Sequence, residues 1–276
     1  MLGALIIVFR EAIEAGLIIG IVAAVTRGVP GARGFIAGGV GGGVLGALVV
    51  AAFAEELSRA FAGSGQELFN AAVLMIAVVM LAWHNIWMAR HGRELAQELS
   101  DVGRAVARGD RTLFALATVV GLAVLREGSE VALFLYGVLA SGESAGSVLI
   151  GGVAGLALGA ATSVATFFGL VSIPPRRLFA VTTALITLLA AGLAAQAMAF
   201  LQQAGAVTAL SDTLWDTSWI LSDKSIPGRV LHTLIGYADQ PSQMQVVVYA
   251  LTIVAIVAAT RLTAPAAPAP ARAPAE

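Results

Sequence analysis

The chain contains no cysteine. Disulfides, thiolate metal sites and iron–sulfur clusters are thereby excluded. Histidine is nearly absent too, three in 276 residues, so a site built from several imidazoles is improbable. Charge is equally sparse: Asp, Glu, Lys and Arg make up 12% of the chain, whereas apolar side chains make up 58% and the mean hydropathy is +0.89. No segment between the apolar runs is long enough for a soluble domain of ordinary size. Any chemistry must therefore lie among the apolar helices or in their connections. The net charge of −1 says little about partners, and no nucleic-acid partner is expected.

What the sequence has in abundance is runs of about 20 mainly apolar residues, the length of a membrane-crossing helix. Seven occur, centred near residues 14, 47, 78, 126, 160, 191 and 253. They predict an all-α, polytopic protein of the cytoplasmic membrane, in contact with lipid along most of its length. The first run has no preceding basic residue and carries charges in its middle, so it reads as a retained span rather than a signal peptide. Cytoplasmic loops are enriched in Lys and Arg. With the N-terminus outside, eleven of the sixteen basic residues fall inside, and Arg59, Lys224 and Arg229 fall outside. The expected topology is N-out, C-in, with a seven-span transmembrane domain over 1–262 and a disordered Pro/Ala cytoplasmic tail over 263–276.

Two spans share an unusual motif. REAIE at 10–14 is matched by REGSE at 126–130. Glycines spaced by four follow in the next span of each half, Gly38, Gly42 and Gly46 in one and Gly151, Gly155 and Gly159 in the other. Spans 1 to 3 and 4 to 6 thus read as two copies of one unit, repeat A over about 1–90 and repeat B over about 112–205. An outer loop over 206–244 and a seventh span over 245–262 complete the chain. Three spans per copy insert the second copy upside down, the inverted-repeat arrangement in which a site lies near the midplane. The glycines read first as packing stripes that let helices approach closely.

A charged side chain at the bilayer centre costs at least about 2.5 to 3.5 kcal/mol and ordinarily faces a bundle interior or a polar path. In R-E-x-x-E the Arg and the second Glu share a helix face, and the first Glu lies about 100° around from the Arg. Two such motifs brought together would join Glu11, Glu14, Glu127 and Glu130 with Arg10 and Arg126, leaving a formal charge of −2. Carboxylate oxygens suit Mg, Ca, Mn or ferric iron rather than Cu(I). The arginines would restrain carboxylate repulsion in the empty site and yield part of that pairing to a cation. The plainer reading is a pair of static salt bridges locking the first span to the fourth.

With FREAIEAGLIIGIV in span 1, LREGSEVALFLYG in span 4 and LWDTSWILSDKSIPGRVLHTLIGYADQPS before span 7, the chain resembles the oxidase-dependent iron permeases of high-affinity uptake over almost its whole length. The resemblance implies a non-enzymatic transporter that moves iron as its substrate, without a resident cofactor. It also implies the four glutamates as ligands, the two arginines as essential neighbours, and an extracytoplasmic oxidase, or a peroxidase and cupredoxin-like protein, that sets the oxidation state. The ion expected at the membrane is ferric. Oxygen ligands alone would also accept another hard divalent cation, and lead is a further substrate to weigh. A metal sensor that does not transport is a further alternative. An intramembrane hydrolase ranks last, for want of a nucleophile or metal–histidine motif.

Further polar residues fit an ion path. Glu55 and Glu56 at the outer end of span 2, with Asp212 and Asp216 in the outer loop, could concentrate cations at the mouth, as could Asp223 and Asp239. Trp83, Trp87, Trp215 and Trp219 suit interfacial belts. His84 and Asn85 sit at the expected inner end of span 3 and read as interfacial or as ligands for a leaving ion, and Gln196 has a comparable place in span 6. Between spans 3 and 4, Leu95, Leu99, Val102 and Val106 share one face, which predicts an amphipathic helix on the cytoplasmic surface.

Overall fold

A computed structural model describes residues 1–60, 66–169, 175–223 and 225–263. The expected Pro/Ala tail beyond Thr263 and the side chain of Glu55 lie outside the described residues. The elements are α1 (Leu2–Val25), α2 (Ala32–Ala60), α3 (Gln66–Ala107), α4 (Phe114–Ala140), α5 (Ala145–Phe167), α6 (Pro175–Gln203), α7 (Ile226–Ile235) and α8 (Gln243–Thr263). Apart from an isolated bridge between Thr213 and Ser242, the described residues are helices and their connections. Segments of α2, α3, α5, α6 and α8 are each long and apolar enough to cross a membrane, which makes this a multi-pass membrane protein. The 24-residue α1 and 27-residue α4 match those spans in length but carry three charged residues apiece.

The helices pair across the two halves of the chain. α1 lies along α5, α4 lies along α2, α3 packs on α6, and α1 meets α4 at the centre. Exchanging α1 with α4, α2 with α5 and α3 with α6 reproduces the same pairs. Glycine makes the long contacts possible. A side chain on Gly155 or Gly159 would run into the backbone of Leu5 or Phe9 in α1. In α2 the contact stripe is Gly39, Gly43 and Gly46 rather than the expected Gly38, Gly42 and Gly46. Gly39 and Gly43 press on Ala117 and Gly121 of α4, whereas Gly38 and Gly42 have nothing within 4 Å. The corrected stripe has a regularity that the expected one lacked: Gly39 and Gly155, Gly43 and Gly159, and Arg10 and Arg126 are all separated by the same 116 positions.

Two apolar cores result. One joins Ala4 and Ile7 of α1 to Leu74 and Leu81 of α3, Phe134 and Val138 of α4, and Ile186 to Ala197 of α6. The other joins Ile18 and Val22 of α1 to Ile36 of α2, Leu99 and Val106 of α3, and Leu116 to Val124 of α4. On α1, α3 and α4 alike, the residues between the two cores are the charged or polar ones.

The amphipathic surface helix expected between spans 3 and 4 is instead a continuation of α3, a single helix of 42 residues. Its apolar face is buried against protein: Leu99 and Val106 are in the second core, and a side chain at Gly103 would collide with Val25. The partner of this face is the C-terminal end of α1 and the N-terminal part of α4 rather than lipid. The α1–α2 connection is tight because Gly28 (φ +90°) and Gly31 (φ +81°) adopt the left-handed conformation on either side of Pro30.

The expected outer loop is also structured. Its helix α7 starts at Ser225, whose hydroxyl accepts from the Gly228 N–H at 3.0 Å. It ends at Gly236, which lies directly on Gly192 of α6. The Tyr249 hydroxyl of α8 donates to the Ile235 carbonyl at 2.5 Å.

The stripe assignment predicts an ordered set of melting temperatures. Gly43→Ala and Gly155→Ala place a methyl where backbone atoms already lie and should each cost about 1 to 3 kcal/mol, the usual range for overpacking. Gly38→Ala and Gly42→Ala should leave thermal unfolding of the detergent-solubilised protein unchanged. Equal sensitivity at all four positions would contradict this packing register.

Candidate metal centre

The six charged residues of the two motifs meet in the gap between the cores. Arg10, Glu11 and Glu14 of α1 and Glu127 of α4 are all buried, each at most 3% exposed. Each arginine pairs with acids of its own helix. Arg10 contacts Glu11 Oε1 at 3.2 Å and Glu14 Oε1 at 2.9 Å. The Arg126 Nε–H donates to Glu130 Oε1 at 3.1 Å and lies 4.0 Å from Glu127 Oε1. The expected neutralisation of carboxylates by arginine is therefore present. The alternative of arginine salt bridges tying α1 to α4 does not occur among the described residues, where each arginine pairs within its own helix.

The group that does reach across is His84 of α3. Its Nε2 lies 3.5 Å from Glu14 Oε2 and 3.8 Å from Glu11 Oε2 on α1, while its Nδ1 contacts Glu130 Oε2 on α4. His84 and Asn85 are both 2% exposed, which corrects their expected place at the inner boundary. A span of ordinary length from Gln66 ends at Met88, and that ending put them near the edge. Because α3 continues to Ala107, they lie deep inside, level with the charged residues of α1. One oxygen each from Glu11, Glu127 and Glu130 and one ring nitrogen of His84 lie within 4.8 Å of one another. Glu14 stands beside this group, held by Arg10. Glu127 Oε2 and both polar atoms of the Asn85 amide are buried without a hydrogen-bond partner among the described residues. Three oxygens and one nitrogen converging in an apolar surround form a donor set of the kind that holds a metal cation.

The two halves of the cluster are not equivalent. Arg10 is 2% exposed, but Arg126 is 35% exposed. It borders a cavity of about 290 Å³ lined by Met80, Trp83, His84, Trp87, Arg126 and Glu130. The Arg126 guanidinium stacks over the Trp87 ring at 4.0 Å, and His91 stacks on the same indole at 5.2 Å. Trp87 is thus a cation–π support for the motif rather than the interfacial anchor expected. Trp83, Trp215 and Trp219 are exposed, as a belt requires.

The outer acids separate into distinct roles. Glu56 and Asp212 are exposed. Asp216 organises its own loop: its Oδ1 accepts from the Ser218 hydroxyl at 2.6 Å and the Ser218 N–H at 2.9 Å, and its Oδ2 accepts from Gln240 at 2.9 Å. Donation from the Ser218 hydroxyl, then from its N–H, holds the Asp216 carboxyl below the usual range. Asp239 accepts from the Asp223 N–H at 3.1 Å. Asp223 and His232 instead line a cavity of about 400 Å³ with Gln196, Glu143, Ser141 and Val138. Sequence reading placed Gln196 in the same relation to its span as His84, and it lies in the wall of this cavity.

His84 is the functional residue that the sequence underrated. The available signal was a His–Asn pair inside an otherwise apolar run, and an intramembrane ionisable residue is a functional candidate by default.

Among known proteins, the chain is similar to iron permeases. The profile of the iron permease FTR1 family matches residues 1–266. The chain is 30% identical over 254 residues to the ferrous iron permease EfeU of Yersinia pestis, covering 90% of this chain and 89% of that protein. It is also 30% identical over 257 residues to the ferrous iron permease EfeU of an Escherichia coli O6:K15:H31 strain, covering 90% and 91%. No solved structure matches.

The unequal burial of the two arginines predicts unequal penalties for removing them. Arg10→Met leaves two buried carboxylates with only their longer contacts to His84 and should cost about 3 to 5 kcal/mol, the range for breaking a buried ion pair. Arg126→Met should cost clearly less, because its partner Glu130 keeps His84 and borders a cavity. Thermal unfolding of the two purified variants checks the order, and a larger loss from Arg126→Met would contradict it.

Proposed function

The chain belongs to the iron permease FTR1 family, whose members are multi-pass membrane transporters, and we propose that it moves iron through the carboxylates of Glu11, Glu14, Glu127 and Glu130, with Arg10 and Arg126 as their counter-charges. One observation carries this reading: acids from two helices far apart in sequence converge with an imidazole within 4.8 Å, between two apolar cores. Iron is the cargo here, not a resident cofactor.

The topology that accompanies this reading has seven spans, α1 to α6 and α8, with the N-terminus outside and α7 lying in the outer segment. Repeat A (about 1–90) and repeat B (about 112–205) are inverted copies. The exchange-symmetric pairing of α1 with α5 and of α4 with α2 supports the repeat, and the arginine distribution supports the orientation. An inside-negative potential then favours inward movement by about 2.3 kcal/mol per unit charge per 100 mV.

Ions arrive at the outer side, where Glu55, Glu56, Asp212 and Asp216 supply negative charge and the cavity lined by Asp223, His232 and Gln196 leads inward. On α4, Glu130, Phe134, Val138 and Ser141 follow one another along a single helix face. Ser141 and Val138 line that cavity, and Phe134 stands edge-on to His84 at 6.5 Å. Phe134 and Val138, both buried, close the direct route, so passage requires these side chains to move.

The family resemblance implies ferric iron delivered by an extracytoplasmic oxidase, or by a peroxidase with a cupredoxin-like protein. The bacterial relatives are named for ferrous iron.

Reconstitution separates the readings. Liposomes containing the wild-type protein should accumulate iron, whereas Glu11→Gln and Glu127→Gln should reduce the initial rate at least tenfold. Parallel assays with ferrous and ferric iron identify the ion that is carried. Binding without accumulation would indicate a sensor, and transport of other divalent cations or lead in preference to iron would reassign the substrate. Glu55→Ala combined with Glu56→Ala should raise the iron concentration for half-maximal uptake more than it lowers the maximal rate. An unchanged concentration dependence would remove these two acids from the path.

A further inference from the structure

We infer that His84 is a direct nitrogen ligand of the transported ion, and that this imidazole makes the site select transition-metal ions of the Fe²⁺ class over Mg²⁺ and Ca²⁺. The inference rests on the carboxylate cluster being the transport site.

Geometry comes first. α3 contributes no carboxylate to the cluster, yet it places one ring nitrogen within 4.8 Å of an oxygen from each of Glu11, Glu127 and Glu130. The distances from Nε2 to Glu14 and Glu11, 3.5 and 3.8 Å, exceed ordinary hydrogen-bond lengths. The ring is therefore held more closely to Glu130 of α4, through Nδ1, than to the α1 carboxylates, and a wider gap remains on its Nε2 side. An ion in that gap would draw ligands from three helices at once, whereas the arginines engage only acids of their own helix.

Chemistry supplies the selectivity. A site of carboxylates alone suits Ca²⁺, which takes six to eight oxygens, and Mg²⁺, which keeps near-octahedral oxygen coordination and several waters. Imidazole suits Fe, Zn, Cu and Ni, whereas carboxylate and water suit Mg, Ca and Mn. Replacing one oxygen by a nitrogen penalises the two alkaline-earth ions, which every cell must keep out of an iron pathway. It disturbs a borderline ion little.

The test uses the full-length protein in liposomes under reducing, anaerobic conditions. Wild-type uptake of Fe²⁺ should be insensitive to a large excess of Mg²⁺ or Ca²⁺ and should be inhibited by Co²⁺ or Zn²⁺. In His84→Gln the apparent Fe²⁺ affinity should fall by about 10- to 100-fold, the range measured when the outer-shell partners of metal ligands are removed, and Ca²⁺ and Mg²⁺ should become competitors. His84→Lys supplies a positive charge in place of the imidazole, and selectivity preserved in that variant would identify His84 as a counter-charge and overturn the inference. X-ray absorption of Fe²⁺-loaded wild-type protein should show the outer-shell scattering of a single imidazole. Its absence would overturn the inference even if the variants fail to fold. Should Glu127→Gln lose uptake while His84→Gln keeps wild-type affinity and selectivity, the imidazole assignment fails and the transport reading stands. Wild-type uptake by both variants would remove the cluster itself from the path.

Discussion

Four carboxylates cannot share an apolar interior unless their charge is matched there, and much of this molecule follows from how the matching is done. Burying an unpaired charge costs several kcal/mol, and removing one partner of a buried pair is more damaging than never having placed it. Arg10 settles the account on α1, where Glu11 and Glu14 both lie within 3.2 Å of its guanidinium. Arg126 does the same for Glu130 on α4. Because both arrangements are intrahelical, α1 and α4 each carry their compensation with them. Part of the cost of burial is offset within each helix, and the formal excess of two negative charges is left to the contact between them.

The position of the two charged helices is set by the packing on either side. Gly155 and Gly159 seat α5 on α1, and Gly39 and Gly43 seat α2 on α4. The charged helices are thus clamped by helices from the other half of the chain. Above and below the cluster, two separate apolar cores draw on the same three helices, α1, α3 and α4. A charged layer between two apolar layers is a rigid arrangement, because neither core can collapse into the middle without desolvating the acids further. The long α3 belongs to both cores and presents His84 at the level between them.

Much of this was legible in the sequence, for identifiable reasons. The paired R-E-x-x-E motifs stand out because charge inside an apolar run is costly, and both motifs were located where the cluster forms. Gly151, Gly155 and Gly159 were read correctly as a packing stripe. The α2 stripe was read one residue out of register, because Gly38, Gly39, Gly41, Gly42 and Gly43 offer several equivalent ladders and composition alone cannot tell which face meets α4. His84 was placed at a boundary because an apolar run indicates a minimum helix length, not where the helix stops. The same cause hid the partner of Leu99 and Val106. An amphipathic face announces that it will be covered, without saying whether by lipid or by protein. The two arginines are identical in motif but differ in burial, since the presence of Trp87 and a cavity beside only one of them depends on tertiary packing.

The crossed pairing of the two halves of the chain also bears on how such a chain is made. The glycine groove that receives α1 is on α5, and its last glycine lies at position 159, well over a hundred residues after α1 leaves the ribosome. Until then the first helix lacks the neighbour along which it packs most extensively. α2 likewise waits for α4. The two halves therefore cannot complete their packing one after the other as independent units, because each supplies a helix that the other packs against.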